Sequence, residues 1–157
     1  MANYAINNEL GGTQQNCSGT YGTQLGWVAS SGTAVRRAKI YDIIVGTNGT
    51  PADNALVWDF PRQTAAGTAT SITPVPLDPA DAAALGAAFA NATAEGTVTS
   101  NSSQLLIAVN QRASIRWAAS PGSELVIPAT NLAGIIGRVK SAAYGSTVNI
   151  SMLIQEQ

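Results

Sequence analysis

The chain has no histidine, a single cysteine and few charged residues. Of its 157 residues only 11% are charged, against about 25% in an average soluble protein. Histidine is the commonest general base and a frequent zinc ligand, so its absence removes Ser-His and Cys-His nucleophile pairs. Cys17 alone supports neither an intramolecular disulfide nor a thiolate-rich metal site. We therefore expect a protein that is not an enzyme and needs no cofactor or metal.

Neither sign of charge predominates, and no long hydrophobic run occurs. The net charge is −1 and the pI is about 5.2, so no basic surface for nucleic acid is expected. No apolar stretch is long enough to span a membrane, and the first residues lack the basic and apolar regions of a signal peptide. The surface is expected to be polar without being charged, as in proteins that are packed into assemblies.

What the sequence does contain is a series of short alternating segments. Apolar and polar residues alternate with the period of two that is typical of strands. The segments are residues 33–45, 55–60, 67–73, 97–109, 115–117, 124–127, 133–139 and 147–154. The Gly- and Pro-rich link at 46–54 favours a hairpin between the first two segments.

Two local signals predict other features of the chain. At residues 120–123, Pro121 and Gly122 occupy the positions that a type II turn requires. That turn is compatible with a hairpin that places Trp117 opposite Val126, or with a corner between two sheets. Further back, Asp78 followed by Pro79 predicts the start of a short helix that ends near residue 88 or 89.

Together these patterns predict an all-β fold, an antiparallel β-sandwich or jelly roll with at most one short helix. Residues 33–157 form the sandwich, whereas residues 1–32 form either an extended arm ordered by a partner or the first strand. In the second case Leu25, Trp27 and Val28 join the core. The other predicted core residues are Ile40, Ile43, Val57, Trp58, Ile107, Ile115, Trp117, Leu125, Ile150 and Met152.

Partner-binding candidates are apolar residues of the predicted arm and arginines in or beside strands. Arginine suits interfaces because its planar fork pairs bidentately with carboxylates, although a solvated sheet face explains the same pattern. The candidates are Tyr4, Ile6, Leu10, Tyr21, Trp27, Arg36, Arg37, Arg112, Arg116 and Arg138. Trp58 and Trp117 are favoured as core, so Trp27 is the more plausible contact tryptophan.

Residues 36–84 and 110–139, with the phrases GTPADNA, PLDPADAA and NQRA, resemble head decoration (cement) proteins of tailed bacteriophages. The resemblance implies a jelly-roll body, made in the host cytoplasm, that forms a homotrimer on the capsid surface of the virion. Its partner would be the major capsid protein, which it bridges to neighbouring copies to stabilise the shell. The alternative is a carbohydrate-binding jelly-roll module of a phage tail or fibre, which holds sugars with exposed Trp, Asp or Asn.

Overall fold

The computed structural model describes residues 1–30, 32–65 and 67–157, which form fourteen strands in two antiparallel sheets. This confirms the predicted all-β sandwich. The strands are β1 (Ala2–Asn7), β2 (Gly22–Val28), β3 (Ala38–Thr47), β4 (Ala55–Asp59), β5 (Arg62–Ala65), β6 (Thr68–Ile72), β7 (Val75–Pro76), β8 (Ala87–Ala94), β9 (Thr97–Val98), β10 (Leu106–Asn110), β11 (Ile115–Ala118), β12 (Leu125–Ile127), β13 (Gly134–Lys140) and β14 (Val148–Glu156). A 3-10 helix spans Asn8–Gly11.

The two sheets are joined by several crossings of the chain. Sheet A has the order β11-β3-β14-β1-β7, with β12 also paired to β3. Sheet B has the order β10-β4-β13-β2-β8-β6, and β5 and β9 attach to it through β13. β3 and β4 therefore lie in different sheets, so the predicted hairpin between them is wrong. The link at 46–54 instead carries the chain from one sheet to the other.

The core lies between the sheets and is built by the alternation that the sequence shows. In β14 the residues of one parity, from Val148 to Ile154, are buried, and those of the other parity face outward. Trp58 on β4 is completely buried, as predicted. Val57 is not a core residue, because it points to the opposite face of the same strand. The remaining predicted core residues belong to the core or pack at its margin, the latter being Ile107, Ile115 and Trp117.

Residues 1–30 contain the first strands of the sandwich and are not an arm. β1 lies inside sheet A between β14 and β7, and β2 lies inside sheet B between β13 and β8. Tyr4 and Ile6 are 1% exposed and Trp27 is not exposed at all. The apolar residues of this segment are thus few, but they are large and bury much area. That area is enough to hold the two strands in place, because each strand has two neighbours.

The turn at 120–123 interrupts an edge strand and makes neither of the predicted connections. Ser123 N–H donates to Ser120 O at 2.9 Å, and Gly122 has a φ of +87°, as the turn requires. However, β11 and β12 both pair with β3, Trp117 opposite Ile43 and Leu125 opposite Ile40. Residues 119–124 are therefore an excursion from one edge strand, and Trp117 does not face Val126.

The helix predicted after Asp78 is also absent. Ala80 N–H donates to Asp78 Oδ1 at 2.9 Å, so the aspartate does cap a turn, but the turn does not continue. β8 begins at Ala87 and pairs with β2, Ala88 lying opposite Trp27. Tertiary pairing overrides the local helix signal here. Among the described residues no helix is long and apolar enough to cross a membrane.

Deleting residues 1–32 should unfold the protein, because it removes β1 and β2 from the middle of both sheets. We expect the truncated chain to lose the cooperative thermal transition, measured by circular dichroism. A chain that lacks only Met1, which is 87% exposed and precedes β1, is the control and should melt like the full chain. A cooperative transition in the truncated chain would show that residues 33–157 fold alone.

Replacing Trp58 by Ala should lower the free energy of unfolding by about 3–5 kcal/mol, the usual cost of removing a buried aromatic side chain. Trp117→Ala is the matched variant, and its cost should be smaller because Trp117 is only partly buried. Denaturant unfolding measures both. Equal losses in the two variants would contradict the placement of Trp117 at the margin of the core.

Candidate functional site

A groove lies beneath the excursion 119–124 on the outer face of sheet A. β3 carries a bulge at Tyr41, since Leu153 pairs with Asp42 and the next residue of β14 pairs with Ile40. The main chain of the excursion is tied to this bulge by Ala119 N–H, which donates to Tyr41 O at 2.9 Å. The loop therefore stands above the sheet at the point where β3 bends.

The groove has a volume of about 410 Å³ and is lined by Asn3, Lys39, Tyr41, Ala119, Pro121, Glu124 and Gln155. Its charges are paired, since Lys39 Nζ lies 3.7 Å from Glu124 Oε2. Hydrogen bonds from its own backbone N–H and that of Gly122 lower the pKa of the Glu124 carboxyl, with a smaller contribution from Lys39. Burial, with the neighbouring Asp42 carboxylate, raises the pKa of the Tyr41 phenol. At neutral pH the groove thus presents an aromatic ring, two amides and one ion pair.

Around the groove, the outer face of sheet A is almost free of unpaired charge. The Asp42 side chain is only 5% exposed and lies beneath Arg116, whose Nε donates to both carboxylate oxygens at 3.1 and 2.9 Å. These hydrogen bonds to Asp42 raise the pKa of the Arg116 guanidinium. The other outward residues are amides, serine and hydrophobic residues, namely Asn3, Ala5, Asn7, Ile44, Val75, Asn149, Ser151, Leu153 and Gln155. We call this surface the neutral face.

A second cluster lies on the outer face of sheet B and combines two cations with a tyrosine. The Arg138 guanidinium and the Lys140 ammonium lie 4.4 and 4.5 Å from the centroid of the Tyr21 ring. They share a face of β13 because they are two residues apart. Arg138 also bonds Asp59, with its Nε and its terminal nitrogen 2.9 and 2.8 Å from Oδ2. Ser103 Oγ donates to the other Asp59 oxygen at 2.5 Å.

A third feature is a pocket of about 470 Å³ where the chain termini meet. It is lined by Met1, Ala2, Tyr4, Arg36, Ala82, Ala83, Leu85, Glu156 and Gln157. The buried Glu156 carboxylate accepts hydrogen bonds from the backbone of Leu85 at 3.1 Å and of Gly86 at 2.5 Å. Tyr4 hydroxyl donates to Ala82 O at 2.8 Å. Glu156 and Tyr4 are thus engaged in holding the 82–86 segment and are not free for a ligand.

The structure divides the predicted partner-binding residues into three groups. Tyr4, Ile6 and Trp27 are core residues, so their proposed roles as contacts are wrong. Tyr21 and Arg138 belong to the cluster on sheet B, and Arg116 borders the neutral face. Leu10, Arg36, Arg37 and Arg112 are exposed, but they lie apart from these two surfaces, and Arg112 pairs with Asp53 at 2.8 Å.

Several surface residues of these sites were not singled out from the sequence. The groove residues Lys39, Tyr41 and Glu124 come together only through the bulge of β3 and the excursion. Lys140 could have been found, because it lies one residue beyond the predicted strand 133–139 and two residues from Arg138, so in an extended chain the two share a face. Its contact with Tyr21 depends on the pairing of distant segments and has no local signal.

No group of three or more His, Cys, Asp or Glu side chains able to hold a metal ion occurs within residues 1–30, 32–65 and 67–157. Comparisons with protein-family models, with curated proteins and with solved structures give no match. The surfaces themselves are therefore the basis for a functional proposal.

Arg138→Met should lower the free energy of unfolding by about 1–3 kcal/mol, the cost of leaving a buried charged group without its partner. Asp59 is the group concerned, with a side chain only 5% exposed. Lys140→Met is the matched variant, because it removes the same kind of contact with Tyr21 without uncovering a carboxylate. Its cost should be at most about 1 kcal/mol. Similar losses in the two variants, measured by denaturant unfolding, would contradict the role given to Asp59.

Proposed function

We propose that the protein is a structural component of a tailed-phage virion that binds the outer surface of the capsid and bridges major capsid proteins. The sequence resemblance suggests this role, and the neutral face is the observation that supports it best. A cement protein performs no chemistry, and its affinity comes from area buried against an assembled lattice. A sheet face whose charges are nearly all paired suits that task, because little desolvation of charge opposes its burial.

The apolar part of the neutral face is the place where binding energy would be gained. Leu153 lies next to Ala5, and Ala5 lies next to Val75, so one row of side chains across three strands is apolar. Ile44, 47% exposed, lies one row away on β3. Surrounding amides can bond to backbone groups of a partner. This combination of an apolar centre and a polar rim is the usual anatomy of a protein interface.

Binding to a lattice also allows weak contacts to add up. The resemblance implies a homotrimer on the capsid, and any symmetric oligomer, a dimer included, would engage several symmetry-related sites with its neutral faces. Linked sites raise the overall affinity by about 10² to 10⁴ without any new contact. A modest single interface is then sufficient to hold the protein on the capsid while leaving the free protein in solution.

Ile44→Lys should weaken retention on capsids by at least about tenfold, because it buries an unpaired ammonium in the contact, opposite the like charge of Arg116. Leu85→Lys is the matched control, since Leu85 is 45% exposed but lies beside the terminal pocket. Cosedimentation with capsids that lack their decoration protein measures both. We expect the Leu85 variant to bind like the unmodified protein. Equal binding by the Ile44 variant would contradict the assignment of the neutral face.

The alternative function, a carbohydrate-binding module of a tail or fibre, has one observation in its favour. The groove beneath the excursion combines Tyr41 with the amides of Asn3 and Gln155 and with the Lys39–Glu124 pair. An aromatic ring beside amide and carboxylate groups is a suitable lining for a sugar. The tryptophans do not line this groove, because Trp27 and Trp58 are buried and Trp117 packs at the margin of the core. Binding to host polysaccharide that is lost in Tyr41→Ala, with capsid retention unchanged, would favour this alternative.

A further inference from the structure

One edge of sheet B is an unpaired strand whose backbone is free to bond to another strand. β10 pairs only with β4. Phe60 N–H donates to Leu105 O at 3.0 Å, and Gln111 N–H donates to Asn54 O at 2.9 Å. In an antiparallel ladder the bonding residues alternate, so the odd-numbered residues bond to β4. The N–H and C=O groups of Leu106, Ala108 and Asn110 therefore point away from the sheet.

The core is incompletely covered on this side of the sandwich. Residues 111–114 link β10 directly to β11, the edge strand of sheet A, so the two edges lie next to each other. The large hydrophobic residues that pack on the core while staying partly exposed are Leu105, Ile107, Ile115 and Trp117. All four lie on these two strands or immediately before β10. A partner placed here would complete their burial.

Unlike the two edges of sheet A, β10 carries nothing that prevents strand addition. Soluble proteins protect sheet edges with proline or charge. At the far edge of sheet A, Pro74 precedes β7 and Pro76 lies within it. β11 carries a charged residue, Arg116. β10, with the sequence LIAVN, contains neither proline nor charge, and Leu106 is 61% exposed.

We propose that β10 pairs in antiparallel fashion with β10 of a second copy of the chain, about a two-fold axis through Ala108. In this register Ala108 faces Ala108 of the second copy, and Leu106 faces Asn110. Three pairs then exchange hydrogen bonds. About four of these bonds reach carbonyls that are otherwise free, and about two reach the Asn110 carbonyl, which also accepts from Ala113 N–H at 2.9 Å. The two B sheets become one continuous sheet across the dimer.

Self-pairing is favoured because the strand is complementary to itself. It has no charge that would meet a like charge at the axis. The small Ala108 side chains allow close approach where the copies meet. On the inner side, Ile107 of one copy faces Val109 of the other, which joins the exposed margins of the two cores. A two-fold contact closes on itself, whereas pairing of β10 with β6 at the opposite edge of sheet B would build rings or filaments.

A disulfide placed at the axis tests the pairing directly. Facing residues in a hydrogen-bonded antiparallel pair have Cα atoms about 5.5 Å apart, within the span of a disulfide. We expect Ala108→Cys, in a chain with Cys17→Ala, to give a covalent dimer on mild oxidation. Ala118→Cys in the same background is the control, an exposed alanine on the other edge strand, and should stay largely monomeric. Equal dimer yields from the two variants would overturn the pairing.

The mass of the chain in solution provides the second measurement. Sedimentation at high micromolar concentration should show a monomer–dimer equilibrium for the unmodified protein and for Ala118→Lys. Ala108→Lys, which opposes two lysines across the axis, should be monomeric with an unchanged melting temperature. An unmodified chain that stays monomeric would overturn the pairing. A trimer or a larger species would also overturn it. Dimer formation and capsid binding can be tested separately. An Ala108→Lys chain that no longer dimerises but is retained on capsids leaves the proposed function intact.

Discussion

The pairing of the first strand with the last is the constraint on which the rest of the sandwich depends. β14 lies between β1 and β3, with Ala2 opposite Glu156. This pairing brings Tyr4 of sheet A to Trp27 of sheet B, with ring centroids 6.1 Å apart. It also carries Glu156 to the backbone of Gly86. A Cβ atom at Gly86 would collide with the Trp27 ring, so the glycine lets the 82–86 segment close over the core. Such distant contacts slow folding, because chain entropy is lost before they form.

The free edges of the two sheets impose a second constraint, since an edge strand must be protected against the addition of another strand. The edges of this chain are not all protected. Prolines protect the β7 edge, while an excursion and an arginine interrupt the β11–β12 edge. The excursion has a further consequence, because it creates the groove over Tyr41. The excursion that interrupts this edge strand thus also forms one wall of a surface suited to recognition. β10 has no such device, and its contrast with both edges of sheet A is more informative than the exposure of any single residue.

The sequence predicted the regularly alternating strands well, because alternation is local information, but it did not predict β5, β7 or β8. β4, β11, β12, β13 and β14 lie within two residues of their predicted bounds, since burying one face of a strand leaves a period of two. Which strands pair is not local, and here the predictions failed: β3 and β4 separate into different sheets, and β11 and β12 share one neighbour. The failed helix after Asp78 has the same cause, because β8 must pair with β2 whatever its local preference. The apolar content of residues 1–32 was misjudged, since a few large side chains suffice in strands with two neighbours.

The candidate sites were less predictable, because a binding surface made of amides and aliphatic groups has no motif. Arginines were the obvious candidates, yet Arg116 and Arg138 satisfy the buried carboxylates Asp42 and Asp59 within their own chain. Their pairing removes charge from the surface instead of offering it. A surface neutralised in this way gains little from electrostatic steering, so its association with a partner depends on complementary shape and buried area and only weakly on salt. A protein that recognises an assembled lattice must distinguish it from the free subunits by shape. A neutral sheet face suits recognition by shape.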